Sequence, residues 1–174
     1  CLSGASLESK EGNLHLSTAT VGGKYIRATL PDGNRTLREQ TVAVDNQAAE
    51  LSWDKLPVEL WWPSGLGNQQ LYALQVQLLD AQRQRLDSRD LRVGFRHIEW
   101  KHTHGAPAAA APYLCVVNGT QVFLFGVNWT PIRPNFADLQ DEDYRKRLSV
   151  YQDIGVNMLR VWGGGFLERQ AFYD

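Results

Sequence analysis

The hydrophobic code of this chain changes period once, and that change limits the folds open to it. From residue 13 to residue 101, short β-rich segments alternate with turn residues at a spacing of roughly 8 to 12 residues, as in sandwiches and barrels. From residue 113 onward a strand pattern is followed by a helix pattern and then a second strand pattern. The two regions are separated by "HTHGAPAAAAP" at 102–112, a stretch of small residues with two prolines and no periodicity. A single layer of antiparallel strands cannot absorb both codes. The expectation is an antiparallel sandwich over 1–101, a linker over 102–112, and the beginning of a different, parallel architecture over 113–174.

Within the first region, strands are expected at Asn13–Ala19, Lys24–Leu30, Arg35–Val44, Ala48–Trp53, Val58–Trp62, Leu71–Leu79, Leu86–Val93 and Phe95–Trp100. Gly22-Gly23, Pro31-Asp32-Gly33-Asn34 and Pro63-Ser64-Gly65-Leu66-Gly67-Asn68 supply turn chemistry between them. Tyr72, Leu74, Val76 and Leu78 alternate with Ala73, Gln75 and Gln77, as expected of a sheet with one buried and one wet face. Trp61 and Trp62 read as packing residues.

In the second region, Asn118-Gly119 predicts a tight hairpin turn, because type I′ geometry needs positive φ at both central positions. The arm Val122–Trp129 is apolar and continuous enough for a strand covered on both faces. A helix is expected from Glu142 to Ile154, with Asp141 as its N-cap and Gly155 just beyond its end. Tyr144, Leu148, Tyr151 and Ile154 would form its buried stripe, and Glu142/Lys146 and Asp143/Arg147 its surface pairs. A strand over Val156–Trp162 then completes a β-α-β unit, which implies a right-handed crossover to a parallel neighbour. Two parallel strands and one helix do not make a domain, so this part is expected to be a piece of a larger one.

Chemistry concentrates where those strands end. Strand alternation places Arg160 and Trp162 on one face, opposite Leu159 and Val161. Asn128 and Trp129 end the preceding strand, and the expectation is that Trp129 and Trp162 reach the same rim. Indole faces pack well on sugar C–H faces, although tryptophans also fill cores. Gly163-Gly164-Gly165 follows. It lacks the G-x-G-x-x-G spacing of a dinucleotide loop, which leaves a flexible turn or the open rim of a ligand pocket.

Other classes are disfavoured. The 18 Lys+Arg against 19 Asp+Glu give no basic field for nucleic acid, and no apolar run approaches the ~18 residues of a membrane span. The opening "CLSGASLESKEG" lacks the charged start and apolar middle of a signal peptide, so the chain reads as soluble, with no compartment assigned. Cys1 and Cys115 are expected to be unpaired thiols. His102 and His104 with Cys115 form no ligand array, and neither a metal nor another cofactor is expected. A glycosidase generally needs two carboxyl groups across the sugar bond. Asp141, Glu142 and Asp143 suit a helix start and Glu168 stands alone, so no catalytic residue is assigned in this chain.

"LWWPSGLGNQQLYAL" at 60–74, "RVGFRHIEW" at 92–100, "VNGTQVFLFGVNWTP" at 117–131 and "NMLRVWGGGFLERQAFYD" at 157–174 together resemble glycoside hydrolase family 2, in particular its β-mannosidase branch. The resemblance implies an immunoglobulin-like sandwich feeding a (β/α)₈ barrel, of which this chain would hold the hairpin, two strands, one helix and the start of the next helix. It implies a fragment of a retaining exo-glycosidase acting on terminal β-mannosides, with both catalytic glutamates on later strands and the fragment itself inactive. By position, Arg160, Trp162, Gly164, Asn128 and Trp129 would line the terminal-sugar pocket. "GGGFLER" is also similar to endo-acting relatives, and exo-β-glucosaminidases share the architecture. Without barrel neighbours, the apolar strand faces of 113–174 are expected to be exposed or to self-associate. A non-enzymatic sandwich that binds carbohydrate or a partner domain is the competing reading.

Overall fold

The computed structural model describes residues 1–173. They divide into two compact units, one of residues 1–62 and 68–121, the other of 63–67 and 122–173.

In the first unit, seven strands form two antiparallel sheets: β1 (Leu2–Ala5), β2 (Gly12–Ala19), β3 (Tyr25–Asp32), β4 (Arg35–Ala43), β5 (Ala48–Leu56), β6 (Tyr72–Leu79) and β7 (Arg85–Val93). One sheet has the order β1-β2-β5 and the other β4-β3-β6-β7, a mainly β sandwich with the strand exchange of immunoglobulin-like folds. Alternation does the sorting. Leu14, Leu16, Leu51, Trp53 and Leu56 from one sheet meet Ala28, Leu30, Tyr72, Leu74 and Val93 from the other. Burying that apolar surface is the main stabilising contribution. Trp53, only 1% exposed, also donates its indole Nε1–H to Gln40 Oε1 at 2.8 Å, a bond that joins β5 to β4 across the two sheets.

Strand β1 lies outside the expected strands, its four residues being too short to show alternation. Val58–Trp62 is not a strand. Its amides reach isolated acceptors instead: Glu59 N–H donates to Tyr72 Oη, Trp61 N–H to the Phe95 carbonyl and Trp62 N–H to the Asn68 carbonyl. An apolar run without a neighbouring ladder has no sheet to join. The Arg96 guanidinium sits 4.3 Å over the Trp61 ring, so this tryptophan serves packing.

A second small sheet in this unit runs β10-β9-β8, with β8 at Ile98–Lys101, β9 at Leu114–Val117 and β10 at Thr120–Gln121. Strands β8 and β9 pair antiparallel, so residues 102–112 form the connection between partners. The β9–β10 turn has Asn118 at φ 50° and Gly119 at φ 82°, the two positive values expected. Asn118 does more than turn the chain: its Oδ1 accepts His97 N–H at 2.9 Å and its Nδ2 donates to the Trp61 carbonyl at 3.0 Å. Cys115 is buried and Cys1 exposed, both as free thiols. Burial pushes the Cys115 thiol up, against the opposing effect of Arg96.

The second unit contains β11 (Gly126–Trp129), α1 (Asp141–Asp153), β12 (Met158–Val161) and α2 (Gln170–Tyr173). β11 and β12 are parallel neighbours, the β-α-β arrangement anticipated from the order of elements. The strand expected from Val122 begins only at Gly126. The side chain of Asn157 takes the place of ladder partners there, accepting Phe125 N–H on Oδ1 at 2.9 Å and donating Nδ2 to the Phe123 carbonyl at 2.8 Å.

The start of α1 is also shifted. Gln140 precedes the helix, and its N–H donates to Asp143 Oδ2 at 2.9 Å. Asp143 pairs with Arg133 at 2.7 Å rather than with Arg147, while Glu142 faces Lys146 at 4.0 Å. Gly155 ends the helix at φ 82° with its N–H on the Gln152 carbonyl, and Val156 N–H reaches Tyr151 O, a Schellman closure. Tyr144 is buried with Leu148 and Tyr151 beside it, but Ile154 is 58% exposed because the closing turn carries it off the stripe. Among the described residues no helix is long and apolar enough to cross a membrane.

Candidate functional site

The parallel register fixes which side chains share a face. Asn128 and Arg160 are direct partners, as are Trp129 and Val161. Because side chains alternate along a strand, Asn128 and Arg160 stand on one face of the pair and Trp129 on the other. Arg160 Nη1 donates to Asn128 Oδ1 at 3.2 Å, both residues being exposed. Trp162 follows one residue beyond β12, with its N–H bonded to the Trp129 carbonyl at 2.9 Å, and its side chain is 48% exposed. A half-exposed indole two residues along the chain from a guanidinium offers an apolar platform and a donor, groups suited to a hydroxyl-rich ring.

The glycines accommodate that indole. A Cβ at Gly164 would stand 2.5 Å from Trp162 Cζ2, so the backbone there lies directly on the ring. Gly165 N–H closes a turn onto the Trp162 carbonyl at 3.0 Å. These contacts pair Asn128 with Arg160 and Gly164 with Trp162, both at the carboxyl ends of β11 and β12.

Trp129 does not reach the rim expected of it. It is 1% exposed, stacks on Tyr144 at a centroid distance of 6.2 Å and an interplanar angle of 17°, and meets Phe172 at 4.7 Å. Its register position turns it toward α1, where it forms a core with Leu139 and Tyr144. Its indole Nε1–H donates to Glu168 Oε1 at 2.7 Å, and Tyr144 Oη donates to Glu168 Oε2 at 2.8 Å. Burial first, then the hydrogen bond to Glu168 and its charge, raise the Tyr144 phenol above the ordinary tyrosine value. Sequence reasoning left Glu168 unassigned. The available signal was indirect: a buried tryptophan needs an acceptor for its N–H, and Glu168 lies in the segment that leads back toward it.

Residues 4–96, more than half of the chain, match the sequence profile of Glycosyl hydrolases family 2. The chain belongs to that family. It is 35% identical over 114 residues to a mannosylglycoprotein endo-beta-mannosidase of Lilium longiflorum, covering 66% of this chain and 11% of that one. It is 31% identical over 145 residues to beta-mannosidase B of Aspergillus fumigatus, covering 82% of this chain and 16% of that one. The crystal structure of a beta-D-mannosidase from Dictyoglomus thermophilum superposes with a TM-score of 0.75 at 29% identity, over 94% of this chain and 20% of that one. The chain thus spans a fifth or less of the length of these relatives. The sandwich followed by a β-α-β unit is consistent with the start of a barrel domain in this family.

Proposed function

We propose that this chain is a section of a retaining exo-glycosidase acting on terminal β-mannosides, and that its second unit supplies part of the sugar pocket. The observation that carries the reading is the pairing of Arg160 with Asn128 at 3.2 Å beside the exposed Trp162 and the close-packed Gly164. Arg160 would donate to a sugar hydroxyl or to the carboxylate nucleophile, and Trp162 would wall the pocket. The relatives that carry β-mannosidase in their names support the substrate class. The two carboxyl groups of a retaining mechanism, about 5 Å apart in such enzymes, would come from elsewhere in a longer chain. Exposed Phe123 and Phe125, just before β11, would be covered there by further strands, or in this chain alone by a second copy.

The endo-acting Lilium relative motivates a second reading, cleavage of internal mannosyl linkages. One assay separates the two. The longest natural chain carrying this sequence is expected to hydrolyse nitrophenyl β-mannoside in preference to β-galactoside, β-glucuronide and β-glucosaminide, while the 174-residue chain hydrolyses none. Activity confined to oligosaccharides with an internal mannosyl linkage favours the endo reading. Preference for another glycoside removes the mannoside assignment, and activity in the short chain removes the claim that its carboxylates are insufficient.

A further inference from the structure

We infer that Glu168 is a positioning residue, whose carboxylate clamps the Trp162–Gly165 wall of the pocket onto β11 and α1; this rests on the sugar-pocket reading above. Three consecutive glycines make Gly163–Gly165 the segment of the second unit with the greatest conformational entropy to lose. That segment nevertheless carries Gly164, the residue packed on the face of Trp162. Something must hold it.

Its upstream end is held by β12 and by the bond from Trp162 N–H to the Trp129 carbonyl. Its downstream end is held by Glu168, which accepts from two donors at once, Trp129 Nε1–H at 2.7 Å and Tyr144 Oη–H at 2.8 Å. Both donors belong to nearly inaccessible rings, 1% and 2% exposed, on different elements, β11 and α1. A carboxylate can take both bonds because it only accepts. Beside it, Arg169 donates Nη1–H to the Leu139 carbonyl and lies 3.9 Å from Asp141. Phe166 stacks on Phe136 at 3.9 Å between centroids. The loop after β12 is thereby fastened to the loop after β11, and the short tether between Val161 and Glu168 restricts where Trp162 and Gly164 lie.

Glu168 therefore touches no sugar, yet its loss should loosen the wall that does. E168L removes both acceptors with a side chain of similar bulk, and Y144F removes one of the two donors. E168Q retains both bonds, accepting from Trp129 Nε1–H and donating to Tyr144 Oη, which also accepts. In the longest natural chain, with nitrophenyl β-mannoside as the probe, E168L is expected to raise KM about tenfold, Y144F to raise it by less, and E168Q to stay near wild type. A smaller folded fraction would instead lower kcat at unchanged KM, so unchanged KM in active E168L and Y144F overturns the proposal.

The second readout is independent of activity: the isotope-labelled indole N–H resonances of Trp129 and Trp162, assigned with Trp→Phe variants. E168L is expected to move both, although only Trp129 bonds to Glu168. A shift confined to Trp129 overturns the clamp. Should the wild-type longer chain hydrolyse no β-mannoside, the functional reading falls and the Trp162 resonance alone decides the role of Glu168.

Discussion

Trp53→Ala is expected to cost the sandwich about 3–5 kcal/mol, a large share of the roughly 5–15 kcal/mol that holds a typical domain folded. Trp53 is 1% exposed and lies within the cluster formed by both sheets, so its removal leaves a cavity that the flanking leucines cannot close. It also leaves Gln40 Oε1 without the donor it accepts at 2.8 Å. Trp53→Phe isolates the second effect, retaining an aromatic ring while orphaning the same acceptor, and is expected to cost about 1–3 kcal/mol less than the alanine variant costs. Denaturant unfolding followed by far-UV circular dichroism measures both. Equal stability of wild type and Trp53→Ala would mean that the two sheets are not held together where the structure places their contact.

Arg160→Ala is expected to lower kcat/KM for nitrophenyl β-mannoside by about 10²–10³-fold in the longest natural chain, the cost typical of deleting one fixed donor from a water-excluded site. Arg160 lies at the end of an exposed strand face with its nearest polar partner, Asn128, 3.2 Å away. Its replacement removes no core contact, so the thermal transition should stay within a few degrees of wild type. Arg160→Lys is expected to recover little, because an ammonium cannot reproduce the planar fork of a guanidinium. Steady-state kinetics with a melting control distinguishes this outcome from misfolding. Activity within threefold of wild type in the alanine variant would remove Arg160 from the pocket.

The sandwich was legible where its strands alternate. Tyr72 and Leu74 are buried along β6 and Ala73 and Gln75 are not, as a period of two requires, until a register shift at Leu78/Leu79 buries Leu79 in place of Leu78. The parallel β11–β12 pair was legible from the order strand, helix, strand, which leaves few ways to connect. Boundaries were less so. Val58–Trp62 has the composition of a strand but no neighbouring ladder, and the onset of β11 depends on Asn157, a residue more than thirty positions away whose side chain occupies the backbone groups of Phe123 and Phe125.

The site divided along similar lines. Register puts Asn128 and Arg160 on one face, while Trp162 lies one residue beyond β12, where strand alternation no longer fixes its direction. The same rule sends Trp129 to the opposite face, into the core with Tyr144. Treating Asn128 and Trp129 as joint rim residues overlooked that adjacent strand residues point apart. Glu168 was illegible as a pair of hydrogen bonds because its donors come from residues 24 and 39 positions away in sequence, and only the packed unit brings them to one carboxylate.

The central claim is that the face carrying Asn128, Arg160 and Trp162 meets the terminal sugar. The most direct measurement is a crystal structure of the longest natural chain carrying this sequence, soaked with a mannose-configured inhibitor. The inhibitor's ring is expected against the Trp162 indole, with Arg160 or Asn128 within hydrogen-bond distance of a ring hydroxyl or of the carboxylate beneath it. An inhibitor bound elsewhere, with Arg160 and Trp162 packed under other protein, would contradict it.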